Sequence, residues 1–209
     1  MPFPILMLIT DRHRSRMPLV DAVVAAVAAG VDLVQLREPD LSDNDMRWLA
    51  VEIVDRISTE RLIINGRPEL AEELGTGLHL RDDQQPPARD IRAETLWIIG
   101  RSVHGPYRDA SAGQRADYLL AGNVFETRTH PSRAARGIGW LGEIVRASDI
   151  PILAIGGITV ANVGEVMTTG CDGIAVIDAI LAQKDPSAAA GRLRSALDQT
   201  RKEHHVDRR

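Results

Sequence analysis

A chain of 209 residues with 44% hydrophobic and 26% charged side chains has the composition of a folded globular protein, with material for one good-sized core. A formal net charge of −4 and an aromatic content of 3% argue against a general nucleic-acid binder, which is basic and stacks bases on rings. The single cysteine, Cys171, excludes an intrachain disulfide, and the N-terminal apolar run is too short for a bilayer and lacks a signal-peptide layout, so a cytoplasmic protein is expected.

In chain order, strand patterns alternate with helical ones. Ile5–Thr10 reads as a strand ending at Asp11-Arg12-His13. Leu19–Ala29 is a helix closed by Gly30, and Val31–Leu36 is a strand ending in Arg37-Glu38. Ser42 caps a helix that runs to about Ser58. Arg61–Asn65 is a strand, Pro68 opens a short helix to about Leu74, and Gly77–Leu80 is a brief strand before a polar loop, Arg81–Pro87. Ala88–Glu94 has a weak helical pattern. Trp97–Gly100 reads as a strand, followed by Arg101–His104 and a short helix, Tyr107–Gln114. Asp117–Leu120 is the next strand, and Val124–Gly137 is a long loop bearing Arg128, His130, Arg133 and Arg136. A helix at Gly139–Ala147, a strand at Ile152–Ile155, a helix closed by Gly170 and a strand at Ile174–Ile177 follow. The last helix spans about Pro186–Lys202, and residues from about 203 to 209 read as a disordered tail.

Strand–helix alternation implies a parallel sheet. Eight repeats of roughly 25 residues without a linker fit a TIM (β/α)8 barrel, one α/β domain spanning 1–209, better than an open sheet. Such a barrel keeps its active site at the C-terminal strand ends, where this chain carries its conspicuous polar residues. Gly156-Gly157, after the seventh strand, permits a tight turn and close approach of backbone to an anion. Backbone N–H groups there and at the Ile177-Asp178 turn would form a phosphate cradle. Arg37 has the planar fork suited to an anionic group. His79 and His104 have the chemistry to move protons near neutral pH. The arginine-rich loop has the character of a lid. Asp82-Asp83 reads as a solvated acidic pair and Cys171 as a small core residue.

The ordered series LITD (Leu8–Asp11), VQLRE (Val34–Glu38), LIING (Leu62–Gly66), GLHL (Gly77–Leu80), IGRSVH (Ile99–His104), ADYLLAGNVFET (Ala116–Thr127), AIGGIT (Ala154–Thr159) and CDGIAVIDAI (Cys171–Ile180) resembles the thiamine phosphate synthase superfamily, a TIM-barrel family. The resemblance implies a role in assembling thiamine from a thiazole phosphate and a pyrimidine. One branch joins hydroxymethylpyrimidine diphosphate to the thiazole phosphate with Mg²⁺. The other, the TenI-type thiazole tautomerase, aromatises a carboxythiazole phosphate by moving a proton. Where the synthase pattern has an Asn-Asp pair after the third strand, with the Asp on Mg²⁺, this chain has Asn65-Gly66. The second metal-binding Asp aligns with Gln84, the lysine after Arg-Glu with Pro39, and the lysine of the sixth loop with His130.

NGR (Asn65–Arg67), GRSVH (Gly100–His104), VFET (Val124–Thr127) and RG (Arg136-Gly137) resemble the tautomerase branch, although its proton-moving histidine aligns with Asn123. The expectation is therefore a tautomerase-like isomerase without metal or cofactor. Its catalytic set would be drawn from His104, Asn123, His130 and Glu126. The resemblance implies that Arg37, Glu38, Asn65, Arg67, Ser102, Thr127 and Arg136 bind substrate, with phosphate on Gly156, Gly157, Ile177 and Asp178. The alternatives are the Mg²⁺-dependent synthase and a non-catalytic phosphate-ligand binding or regulatory barrel. The expected partner is a small-molecule thiazole phosphate, with no nucleic acid or membrane; a homo-oligomer is left open.

Overall fold

Eight short strands, apolar on both faces, bury both when the sheet closes on itself as the inner layer of a barrel covered by helices. The computed structural model describes residues 4–81, 84, 98–104, 116–127 and 134–206. The strands are β1 Ile5–Ile9, β2 Leu33–Leu36, β3 Leu62–Asn65, β4 Gly77–Leu80, β5 Ile99–Val103, β6 Tyr118–Ala121, β7 Ile152–Ile155 and β8 Gly173–Val176. Each pairs in parallel with the next, and β8 closes on β1, giving the expected (β/α)8 barrel.

The period of two sorts the strand side chains. Ile5, Met7 and Ile9 join Leu33, Ile63, Leu120, Leu153 and Ala175 inside the barrel. Leu6 and Leu8 face outward into the layer shared with the helices, as do Val34, Leu36, Ile64 and Val176. The helices are α1 Leu19–Ala28, α2 Asp43–Ile57, α3 Pro68–Leu74, α4 Gly137–Ala147, α5 Val163–Met167, α6 Asp178–Leu181 and α7 Pro186–Val206. Ser42 caps α2, its hydroxyl accepting from the Asp45 N–H at 3.2 Å. None of the described helices is long and apolar enough to cross a membrane. Cys171 is buried in the outer layer, and burial pushes its thiol pKa up.

Three aspartates perform one repeated task at the N-terminal rim. Asp32, Asp117 and Asp172 each sit one residue before a strand and accept an N–H from the first or second residue of the preceding strand. The donors are Leu6 at 2.8 Å, Ile99 at 2.7 Å and Ile152 at 2.8 Å. A charge-assisted bond of this kind fixes the register between neighbours before any helix intervenes. Arg194 of α7 joins the first clamp, reaching Asp32 at 3.1 Å and the Pro4 carbonyl at 3.0 Å. This bond ties the C-terminal helix across the barrel floor.

Several boundaries differ from the sequence reading. β5 runs Ile99–Val103, three registers beyond Gly100 on the β6 ladder, so Ser102 lies within the strand. A polar residue survives there because the inner face at the C-terminal end is a polar layer. α5 begins only at Val163, because the Asn162 carboxamide first closes a turn on the Thr159 N–H at 2.8 Å. The four-residue α6 had no separate signal; it begins at the Ile177-Asp178 turn, directly after the eighth strand. α7 continues past Lys202 to Val206. The helical patterns at 88–94 and 107–114, and residues 207–209, lie outside the described residues.

Gly100 has no side chain because the Tyr118 ring of β6 occupies the space where a Cβ would project. Gly139, in α4, has nothing within 4 Å of that position. Gly100→Ala is therefore expected to cost about 1–3 kcal/mol by overpacking, whereas Gly139→Ala gains about 0.5–1 kcal/mol from helix propensity. Urea denaturation of the two variants checks the contrast.

Candidate active site

The C-terminal strand ends surround a cavity of about 850 Å³. Of the residues singled out in the sequence, thirteen line it: His104, Asn123, Glu126, Arg37, Glu38, Asn65, Arg67, Ser102, Thr127, Gly156, Gly157, Ile177 and Asp178. Arg136 does not; it is exposed at the start of α4, its guanidinium 5.3 Å from the Trp140 ring centroid. An aromatic face one turn along its own helix is the nearer partner. His130, Arg128, Arg133 and Asp82-Asp83 lie outside the described residues.

On the β7–β8 side, Gly156 and Gly157 have φ of 107° and 64°. Their backbone needs this freedom because the β6 exit crosses directly above. A Cβ on Gly156 would come within 2.7 Å of Asn123 Cα, and one on Gly157 would overlap the Glu126 carbonyl. The Gly156 carbonyl accepts from the Phe125 N–H at 3.0 Å. The N–H groups of Gly157, Asp178 and Ala179 find no acceptor among the described residues. Beside them, the Asp178 carboxylate would repel an anion were it bare. Arg14, from the β1 exit, pairs with it through two bonds of 2.7 and 2.5 Å.

On the β2–β4 side the charges are divided differently. Glu38 is 1% exposed and spent on Arg12, accepting from its backbone N–H at 3.1 Å and its guanidinium at 3.2 Å. The same guanidinium holds the Asp40 carboxyl well below the usual range. Glu38 thus positions the β1 exit rather than offering a carboxylate to a ligand, correcting the substrate-binding expectation for that side chain. Arg67 is oriented by Asp43 at 2.9 Å and the Leu41 carbonyl at 2.6 Å. The Arg37 guanidinium has no hydrogen-bond or ion-pair partner among the described residues.

Under the cavity lies a polar layer that the sequence reading largely missed. His79, 1% exposed, bonds through Nδ1 to the Tyr118 hydroxyl at 2.9 Å and through Nε2 to Ser102 Oγ at 3.0 Å. Burial drives the His79 pKa down to about 3, so the ring is neutral, accepting at one nitrogen and donating from the other. Burial likewise pushes the Tyr118 phenol up. Gln35 accepts from Asn65 Nδ2 at 3.3 Å, while its own Nε2 and Asn123 Nδ2 are buried without a partner. Both amides line the cavity, so a ligand there is the available acceptor. His79 was singled out in the sequence; the signal for Gln35 and Tyr118 was their period-two placement on the inner face of apolar strands.

The groups expected to move a proton are poorly suited to it. His104 Nδ1 donates to the Gly122 carbonyl at 2.8 Å, Glu126 is exposed on the β6 exit, and Asn123 has no titrating group. Nor do the donors fit Mg²⁺, which prefers oxygen ligands including carboxylate. Gly66 supplies no side chain, and Gln84 is a clamp, its Oε1 accepting from the Arg81 N–H at 3.0 Å and its Nε2 donating to the Gly66 carbonyl at 2.9 Å. Among the described residues no three His, Cys, Asp or Glu side chains converge to hold a metal ion.

Comparison with known proteins gives one consistent result. A family model described as thiamine monophosphate synthase matches residues 6–180. A thiamine-phosphate synthase of Mycobacterium sp. strain JLS is 38% identical over 92% of each chain. One from Chloroflexus aurantiacus is 38% identical over 93% of each. The solved thiamine phosphate pyrophosphorylase of Pyrococcus furiosus superposes with a TM-score of 0.82 at 31% identity, covering 94% of this chain and 96% of that one. These names overturn the tautomerase and isomerase expectation. Three of the four short motifs that supported it sit at strand ends common to the whole barrel, the fourth opens α4, and the histidine that would have distinguished it is Asn123.

The buried His79 makes stability depend on pH. Its pKa is lower folded than unfolded, so the unfolded chain binds the extra proton first as pH falls. The contribution of neutral His79 is complete above about 6.5 and is lost toward about 3. Between those limits the wild type should lose stability more steeply than His79→Asn, by up to about 1.4 kcal/mol per pH unit. Urea denaturation at stepped pH measures it; equal slopes would exonerate this ring.

Proposed function

The chain belongs to the thiamine monophosphate synthase family, and from that membership and the form of its cavity we propose that it couples hydroxymethylpyrimidine diphosphate to a thiazole phosphate, yielding thiamine phosphate and pyrophosphate. The observation that carries the reading is a pair of anion seats facing each other across one cavity. In a sequentially ordered eight-stranded barrel, β3 and β4 lie opposite β7 and β8. One rim offers unpartnered backbone N–H groups at Gly157, Asp178 and Ala179; the other offers Arg37, Arg67 and Arg81. Two substrates, each with its own phosphate group, would be held by their outer ends with their reacting atoms toward the middle.

The chemistry asks little of side chains as acids or bases. The bond between the pyrimidine methylene carbon and the diphosphate oxygen breaks, and pyrophosphate leaves with the electron pair. The thiazole nitrogen lone pair forms the new carbon–nitrogen bond. The protein's contribution is alignment and stabilisation of the charge that grows on the leaving group. Ser102, held by neutral His79, and the Gln35 and Asn123 amides would orient the two rings on the cavity floor.

Liquid chromatography of a mixture of the two substrates with the purified chain should show thiamine phosphate and pyrophosphate accumulating together; absence of both under every metal condition would sink the reading. Within it, Arg14→Gln should expose the Asp178 charge beside the phosphate cradle and raise KM for the thiazole phosphate about tenfold, with kcat less affected. Adding Asp178→Asn to that variant should restore KM, since the repelling charge is then gone.

A further inference from the structure

Resting on the synthase reading above, we infer that this chain seats the diphosphate of its pyrimidine substrate directly on guanidinium groups, Arg37, Arg67 and Arg81, where the resemblance places a divalent cation held by carboxylates. The exchange is visible in the donor set at β3 and β4. One expected carboxylate position is Gly66, in left-handed backbone with φ of 67°. The other is Gln84, an uncharged amide engaged at both ends. The space a side chain on Gly66 would enter is covered by Arg81: a Cβ there would meet Arg81 Cδ at 3.4 Å and Gln84 Oε1 at 3.4 Å. A cationic side chain thus stands over the place from which an anionic ligand would have projected.

Among the described residues, the remaining acids of the cavity do not make up the deficit. Glu38 is taken by Arg12, Asp43 by Arg67 and Asp178 by Arg14. Glu126 lies on the exposed exit of β6, across the barrel from β3. A divalent ion at Gly66 and Gln84 would meet neutral oxygen donors beside two arginines, and like charges would disfavour it. A diphosphate in the same place meets the reverse situation. A guanidinium is a permanent cation that donates paired N–H groups matching phosphate oxygens. Arg67 is already oriented by Asp43 and Leu41, which leaves its Nη1 without a partner among the described residues, and Arg37 carries its whole donor fork unpaired. When the carbon–oxygen bond breaks, the added negative charge on pyrophosphate falls on groups already facing it.

The test titrates inorganic pyrophosphate into the full chain by calorimetry, in EDTA and then in Mg²⁺, alongside turnover in the same two buffers. Pyrophosphate should bind in EDTA, and Mg²⁺ should change the affinity by less than about threefold. Arg37→Gln and Arg81→Gln should each weaken it about tenfold or more, with Arg81→Lys intermediate because it keeps the charge and loses the fork. Near-ultraviolet circular dichroism of the variants confirms their fold. Turnover should persist in EDTA. Pyrophosphate binding only with Mg²⁺, or turnover abolished by EDTA and restored by Mg²⁺, would overturn the inference. Arginine-dependent binding in EDTA with no thiamine phosphate formed in either buffer would uphold the seat and overturn the synthase reading instead.

Discussion

Closure of the sheet on itself is the constraint from which the rest of this structure follows. Once β8 pairs with β1, no strand has a free edge, and every strand delivers its C-terminal end to the same rim. The inner layer must then be filled from one face of eight short strands. Below, Met7, Leu33, Ile63 and Leu153 fill it with hydrocarbon. Above, Gln35, His79, Tyr118 and Ser102 fill it with groups that need partners. The Asp32, Asp117 and Asp172 clamps set the stagger that decides which side chains meet in each layer. Through them a bond at the bottom of the barrel determines what stands at the top.

The upper polar layer is costly, and the pattern of its costs is informative. His79 is satisfied at both nitrogens, so its burial is compensated so long as it stays neutral. The Gln35 and Asn123 amide nitrogens are not satisfied, at about 1–3 kcal/mol for each buried donor left without an acceptor. An interior selected for stability alone would fill those positions with apolar side chains. Unsatisfied donors along the wall of one cavity are what a binding site looks like before its ligand arrives.

The barrel was legible because its signal is distributed. Eight apolar runs and the stops between them each supply a little, and an error at one boundary, such as Trp97–Gly100 for Ile99–Val103, leaves the count unchanged. The clamps were legible too, in principle: VDLV, ADYL and CDGI repeat an Asp just before an apolar strand, and only the chain's closure explains why. Most of the rim residues, from Arg37 to Asp178, were found because parallel strands all end there. What could not be read was pairing across the rim. Glu38 was expected to serve a ligand and instead serves Arg12, and Arg14 lies 164 positions from the Asp178 it neutralises. Such partnerships depend on which loops meet, and spacing along the chain carries no trace of that.

The same pairing decides what the site can hold. Its acids are not scattered: each of Glu38, Asp43 and Asp178 is matched to an arginine arriving from a different loop. Matched pairs around the rim tie loops together and contribute little net field. The field that remains comes from what is unmatched among the described residues, which on the β2–β4 side is the Arg37 guanidinium and on the β7–β8 side is backbone N–H. Both attract anions, and they face each other across the barrel. A molecule with one anionic end would leave one side unsatisfied, whereas two anionic substrates meeting head to head satisfy both. Charge matching around the rim thus leaves two anion-attracting sides in one cavity, and the proposed coupling of two phosphorylated substrates rests on that feature more than on any single side chain.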